Sequence, residues 1–345
     1  MKTKISKSWR PIAVVAIILF GLLAILFVAR PSTRNDSDIV ATNYVGYDLA
    51  RTVMGGDQNI RLLIKPGTEL HHFEPSPQDI IALQNAKLII YNGGESDAWL
   101  EEMIDNNSID RSKTLRLMDL VETTEENQDV ASDGQTEHNE NDIHDATDSS
   151  HDHDEHGDSD HHVDDHSPSH HDEDEHIWTS PQNTMVLARG ISQRIAELFP
   201  DHQAVYTENT ENFISALAEV DNAFYGLIKN QTRPLVFADR FPFQYFANDY
   251  HLDYIAALPG CVEQAEISSR TLAELVDVVK RHGISTILKV ELSSDNIARA
   301  IADETGAKIL EFHSAHNISQ EDFDAGITYL DLMKRNIMVL EEALR

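Results

Sequence analysis

The sequence predicts an α/β fold of two Rossmann-like lobes joined by a long rigid helix, and three observations carry that expectation. Short apolar runs alternate with stretches of helical apolar spacing, a pattern that calls for parallel sheets covered on both faces. The alternation occurs twice, on either side of a region without strand signals. That region, 181–230, reads as nearly continuous helix. A chain of 345 residues, 41% hydrophobic and 25% charged, suits two globular domains better than one.

In chain order, Lys2, Lys4, Lys7 and Arg10 form a basic segment (1–10) before an unbroken apolar run, 11–29, closed by Arg30. Nineteen residues at 1.5 Å each reach about 28 Å, enough to cross a bilayer core. Phe27 stands three residues before Arg30, where a cleavable signal favours a small residue, so an uncleaved anchor is preferred over a cleaved signal. The excess of basic residues before the run puts the N-terminus in the cytoplasm and the body outside the membrane. A linker, 30–37, leads into the first lobe, 38–200.

In that lobe Ile39-Val40-Ala41-Thr42, Arg61-Leu62-Leu63-Ile64 and 87–91 read as strands. Segments 45–54, 77–85 and 99–105 read as helices, the second opening at Ser76 with Pro77 in the first-turn position, where a missing donor costs nothing. The linking helix, 201–230, follows an interruption at Phe199-Pro200-Asp201 and carries Val205, Phe213, Leu217, Val220, Phe224 and Leu227 at helical spacing. The second lobe, 231–345, contributes strands at Leu235-Val236-Phe237, Tyr254-Ile255-Ala256, 286–290 and Lys308-Ile309-Leu310. Helices at 272–281 and 296–305 lie between them, with Gly283 and Gly306 as C-terminal stops. Two lobes on a stiff spine make a cleft, a common place for a ligand.

The net charge of −32 repels polyanions and excludes nucleic acid as a partner. It is concentrated in an insert: 122–175 holds 21 Asp and Glu and no Lys or Arg. Ten histidines fall within it, among them His151, His153, His156, His161, His162, His166, His170 and His171. This composition cannot pack a core, so the segment is expected to be a disordered loop that collects divalent metal, zinc above all. The plainer reading is a solubilising acidic linker. Cys261 is the only cysteine, which rules out an intramolecular disulfide and a multi-thiolate zinc finger. No His-Glu-x-x-His signature is present, and an enzyme is not expected.

Two structured motifs flank the insert. Residues 66–77 read PGTELHHFEPSP between a strand and a helix, and 174–181 read DEHIWTSP before the next helix. Both resemble signatures of the zinc group (ZnuA and AdcA type) among the metal-binding proteins of bacterial ABC importers. That family reads Pro-His-x-Tyr-Glu-Pro-x-Pro at the first place and Asp-Pro-His-x-Trp-x-x-Pro at the second, with an acidic histidine-rich loop just before it. The resemblance covers about 38–345 and implies a metal site in the interlobe cleft. It implies capture of Zn2+ by an extracytoplasmic monomer that serves an ABC permease and its ATPase. The body would be anchored at the outer face of the cell membrane, or secreted or periplasmic if the signal is cleaved.

Carried over residue by residue, the first metal histidine falls on His71, with His72 beside it as a supporting or exposed neighbour, and the second on His176. The third falls on Ala238, so the standard site is incomplete. The family's final carboxylate falls near Phe312-His313-Ser314, which makes His313 the expected replacement ligand. His316, Asp239, Cys261 and Glu263 are further candidates, and Glu266 and Glu291 weaker ones. For Asp239 a salt bridge is an equal alternative, and a lone cysteine is more commonly a small buried residue. Manganese is the rival metal, disfavoured because imidazole-rich sets suit zinc. A surface adhesin or a metal store are the other functional classes.

Overall fold

The computed structural model describes residues 37–56, 59–68, 73–125, 173–260 and 267–345. The apolar run 11–29, the histidine-rich segment 126–172, His71, His72, Cys261, Glu263 and Glu266 all lie outside the described residues. Among those that are described, no helix is long and apolar enough to cross a membrane.

The first sheet contains β1 (Ile39–Ala41), β2 (Ile60–Leu62), β3 (Leu88–Tyr91) and β4 (Thr114–Arg116), in the order β2-β1-β3-β4 and all parallel. Helices α1 (Tyr44–Met54), α2 (Pro77–Asn85) and α3 (Ala98–Asp105) lie between its strands. Helix α4 (Pro181–Leu198), a short 3-10 turn (Pro200–His202) and α5 (Gln203–Ile228) lead to the second sheet. That sheet holds β5 (Leu235–Arg240), β6 (Tyr254–Leu258), β7 (Thr286–Lys289) and β8 (Lys308–Glu311), in the order β6-β5-β7-β8. Its helices are α6 (Gln244–Tyr250), α7 (Ser269–His282) and α8 (Asn296–Thr305), followed by α9 (Gln320–Asp324) and α10 (Tyr329–Ala343). Both sheets have the same strand order relative to their first strand, which puts the crevice of each at its strands' carboxyl ends.

Strand alternation sorts the core into three parts. Ile39 and Ala41 of β1, with Leu88 and Ile90 of β3, face one way, while Val40, Ile89 and Tyr91 face the other. In the second sheet Phe237 and Leu288 join the first set, and Val236, Ala238 and Ile287 join a separate outer cluster. The inner faces of both sheets therefore share one continuous core. Helix α5 crosses it with Tyr206, Phe213, Leu217, Val220, Phe224 and Ile228 buried, and its 26 residues span about 39 Å.

The helix boundaries follow local chemistry. Ser76 and Asp79 form a reciprocal capping box with Pro77 in the first turn, and Ser180 caps α4 with Pro181 next to it. Gly283 and Gly306 end α7 and α8 with φ of +61° and +75°, a conformation that disfavours residues with a Cβ. Three expectations change. Val205 is 48% exposed, and Tyr206 takes its place on the buried face of α5, because Tyr206 stands two full turns before Phe213 whereas Val205 is about 80° out of phase with it. Strand β2 ends at Leu62, although Leu63 and Ile64 still donate to Ala41 and Thr42 carbonyls. Strand β4 and helix α6 carry no periodic signal and were not anticipated.

Candidate metal centre

Glu175, His176 and His316 are buried side by side, with one potential ligand atom from each lying within 4.8 Å of the others. The first two precede α4 in the first lobe, and the third follows β8 in the second. The cluster therefore joins the lobes. His176 and His316 meet edge to face with ring centroids 5.1 Å apart, and the Trp178 ring lies 5.6 Å from each.

Asp174 sets the orientation of His176. One carboxylate oxygen, Oδ1, accepts from the His176 backbone N–H and from ring Nδ1, both at 2.8 Å. A carboxylate only accepts, so the ring proton sits on Nδ1 and the lone pair on Nε2. This carboxylate–imidazole pairing is the arrangement that orients histidine toward a metal. Asp174 is held in turn, its carbonyl accepting from the Tyr245 hydroxyl at 2.7 Å.

Glu175 sits in a cradle formed after β3. Ser96 donates to its carboxylate through backbone N at 3.0 Å and through its hydroxyl, and the Asn92 amide donates to the Glu175 carbonyl at 2.8 Å. Gly94 has φ of +78°, and a Cβ there would lie 2.6 Å from Glu175 Oε2, so the cradle needs glycine. Asp97, buried nearby, accepts from the Asn92 and Gly93 backbone N–H groups at 2.8 and 3.1 Å. Burial pushes the Asp97 carboxyl up to about 7 against those two bonds, with the Glu175 charge adding to the rise.

Glu291 holds the opposite wall. Its carboxylate accepts from Ser314 N at 2.7 Å, from the Ser314 hydroxyl at 2.6 Å and from His316 N at 3.1 Å. Ala315, within this turn, has φ of +61°. Trp178 Nε1 donates to Ser314 O at 2.9 Å, and the Tyr329 hydroxyl donates to Trp178 O at 2.8 Å.

The expected residues divide as follows. His176 is in the cluster, and so is His316. His313 is buried but outside it: Ala315 N–H donates to its Nδ1 at 2.9 Å, which leaves the neutral ring's proton on Nε2 and no lone pair for a metal in this arrangement. Its backbone is fixed by paired bonds with the Asn336 amide, at 2.8 and 2.7 Å. Asp239 forms no salt bridge among those described. It accepts from Arg240 N at 2.8 Å, from Val290 N at 3.0 Å and from the Ser293 hydroxyl, tying β5 to the turn after β7. Glu291 holds the Ser314–His316 turn through two backbone N–H groups and the Ser314 hydroxyl rather than joining the cluster. Ala238 belongs to the outer core of the second lobe with Val236, Ala257 and Leu275, so a histidine at that position would enter packed apolar space. Asp174 and Glu175 were missed, although DEH stands where the family pattern has Asp-Pro-His. The two ends of the acidic insert meet beside the cluster, with Glu125 and Glu173 forming an antiparallel bridge and Asp174 N donating to Thr124 O at 2.8 Å.

A family model described as "Zinc-uptake complex component A periplasmic" matches residues 39–343. The "High-affinity zinc uptake system protein ZnuA" of Bacillus subtilis is 27% identical over 348 residues, covering 98% of each chain. The "Zinc-binding protein AdcA" of Streptococcus pyogenes is 26% identical over 302 residues, 88% of this chain and 55% of that protein, so this chain spans about half the length of such relatives. In fold, the Zn(II)-bound ZnuA-like domain of Streptococcus pneumoniae AdcA matches with a TM-score of 0.64 at 24% identity, covering 89% of this chain and 98% of that domain. The laminin-binding protein of Streptococcus agalactiae matches with a TM-score of 0.66 at 22% identity, covering 89% and 98%.

Proposed function

The chain belongs to the zinc-uptake component A family, and from that premise we propose that it captures Zn2+ between its lobes for a zinc ABC importer. It would hand the ion to the membrane permease that the importer's ATPase drives. The family consists of solute-binding components rather than enzymes. One observation carries the reading: the buried group of Glu175, His176 and His316, drawn from both lobes. Two imidazole nitrogens and a carboxylate oxygen suit zinc, and one further donor completes a tetrahedron. His71, or His72 beside it, is the donor that the sequence offers for that position. Imidazole-rich chemistry favours zinc over manganese.

The acidic histidine-rich insert leaves and re-enters the fold next to this group, which supports its use as an auxiliary collector. The body is assigned to the outer face of the membrane, held there by the apolar segment 11–29, and acts as a monomer. The laminin-binding neighbours share the fold alone, so adhesion gains no support from them.

The test is calorimetric titration of the full chain with Zn2+ and with Mn2+, in competition with a chelator. One tight zinc site, well separated from a set of weak ones and not displaced by manganese, is expected. Only weak, many-fold binding would turn the assignment to metal storage. Because coordination needs neutral imidazole, the tight site should weaken as pH falls through about 6.5, where free histidine titrates.

A further inference from the structure

We infer that Asn317 is a positioning residue for the metal site, clasping segment 65–68 of the first lobe to the second lobe's His316 turn. The inference rests on the proposed site, and the observations behind it are separate from the ligand group. Asn317 is 5% exposed and follows His316 directly. Its amide donates across the cleft to the carbonyls of Lys65 and Thr68, at 3.2 and 2.5 Å. Its Oδ1 accepts from Ile318 N at 2.7 Å, and Ile318 O accepts from Gly67 N at 2.8 Å. Three bonds thus cross between 65–68 and 317–318.

Only a carboxamide fits this place. It needs two N–H donors for two carbonyls and an acceptor for a backbone N–H, a set that a carboxylate or hydroxyl cannot supply. Gly67 contributes the matching turn, with φ of +74°. Asn317 is one residue after His316, so the clasp ties the first lobe, which carries Glu175 and His176, directly to the His316 turn of the second. The His316 end is already rigid, because Glu291 and Ser314 hold its N–H. The three bonds to 65–68 tie that rigid turn to the first lobe. Loss of the clasp leaves every metal donor in place chemically but relaxes their separation, so a bound ion should depart faster.

The experiment loads the full chain with Zn2+ and follows transfer of the metal to a chromogenic chelator. Asn317→Asp keeps size and acceptor but removes both donors. It is expected to raise the dissociation rate at least about tenfold and to lower the melting temperature, with the nitrogen and oxygen donor set unchanged by X-ray absorption and the secondary structure unchanged by circular dichroism. Asn317→Ser, which retains one donor, covers failure of the aspartate variant to fold and should give a smaller increase. A wild-type dissociation rate in a folded variant overturns the inference, and so does an altered donor set, which would make Asn317 a ligand. If the wild-type chain itself holds no tight zinc, the proposed function fails first and takes the inference with it.

Discussion

The two walls of the metal centre hold their histidines in different ways. In the first lobe the carboxylate of Asp174 grips the imidazole itself, fixing both the ring plane and the tautomer of His176. In the second lobe the carboxylate of Glu291 grips the backbone of the turn and the Ser314 hydroxyl but not the His316 ring, which takes its place from contact with Trp178 and His176. One wall supplies a donor whose chemistry is set before any metal arrives. The other supplies a donor whose position is set but whose ring responds to its neighbours. His313 shows what a fully committed ring does in the same turn: its Nδ1 is used by Ala315 N–H, and it serves the fold.

This contrast makes ranked predictions. The largest effect is expected from His176→Ala, which removes the preset donor: zinc affinity by chelator competition should fall at least about a hundredfold, roughly 2.8 kcal/mol. His316→Ala should weaken binding by about thirtyfold, roughly 2 kcal/mol, whereas His313→Ala should change affinity less than about threefold and instead lower the melting temperature. A larger affinity loss in His313→Ala than in His316→Ala would reverse the assignment of the second wall. Asp174→Asn keeps the shape but exchanges the carboxylate for an amide that no longer enforces one tautomer, and about a tenfold loss is expected, the low end for a residue that orients a metal ligand. The matching change on the other wall, Glu291→Gln, should disturb stability more than affinity, because its bonds hold the turn and not the His316 ring. Smallest of all, deletion of 129–172 should leave the tight site within about twofold while abolishing several weak ones in the same titration. Loss of the tight ion in that deletion would move the site into the insert.

One wall of the candidate site was legible before the structure. The motif around 174–181 pointed to His176, and the strand–helix alternation placed it at the edge of a lobe. What sequence spacing missed is the second wall. His313 and His316 are three residues apart in an irregular turn, and no periodicity says which ring points inward when Ala315 adopts φ of +61°. Glu175 was overlooked for a similar reason, since its burial depends on Ser96 and Gly94, some 80 residues earlier.

The sequence by itself determined the two α/β lobes, the proline-marked break before the spine, the glycine-stopped helices and the acidic insert. These depend on residue periodicity, on proline and glycine backbone limits and on composition, all of which are local. Only the tertiary structure decided which side chains share the cleft. The Trp178 bond to Ser314 O, the Tyr329 bond to Trp178 O and the Asn317 bonds to Lys65 and Thr68 are pairings at a distance. A pairing of that kind exists only once both sheets have packed on a common core and brought their loop ends together.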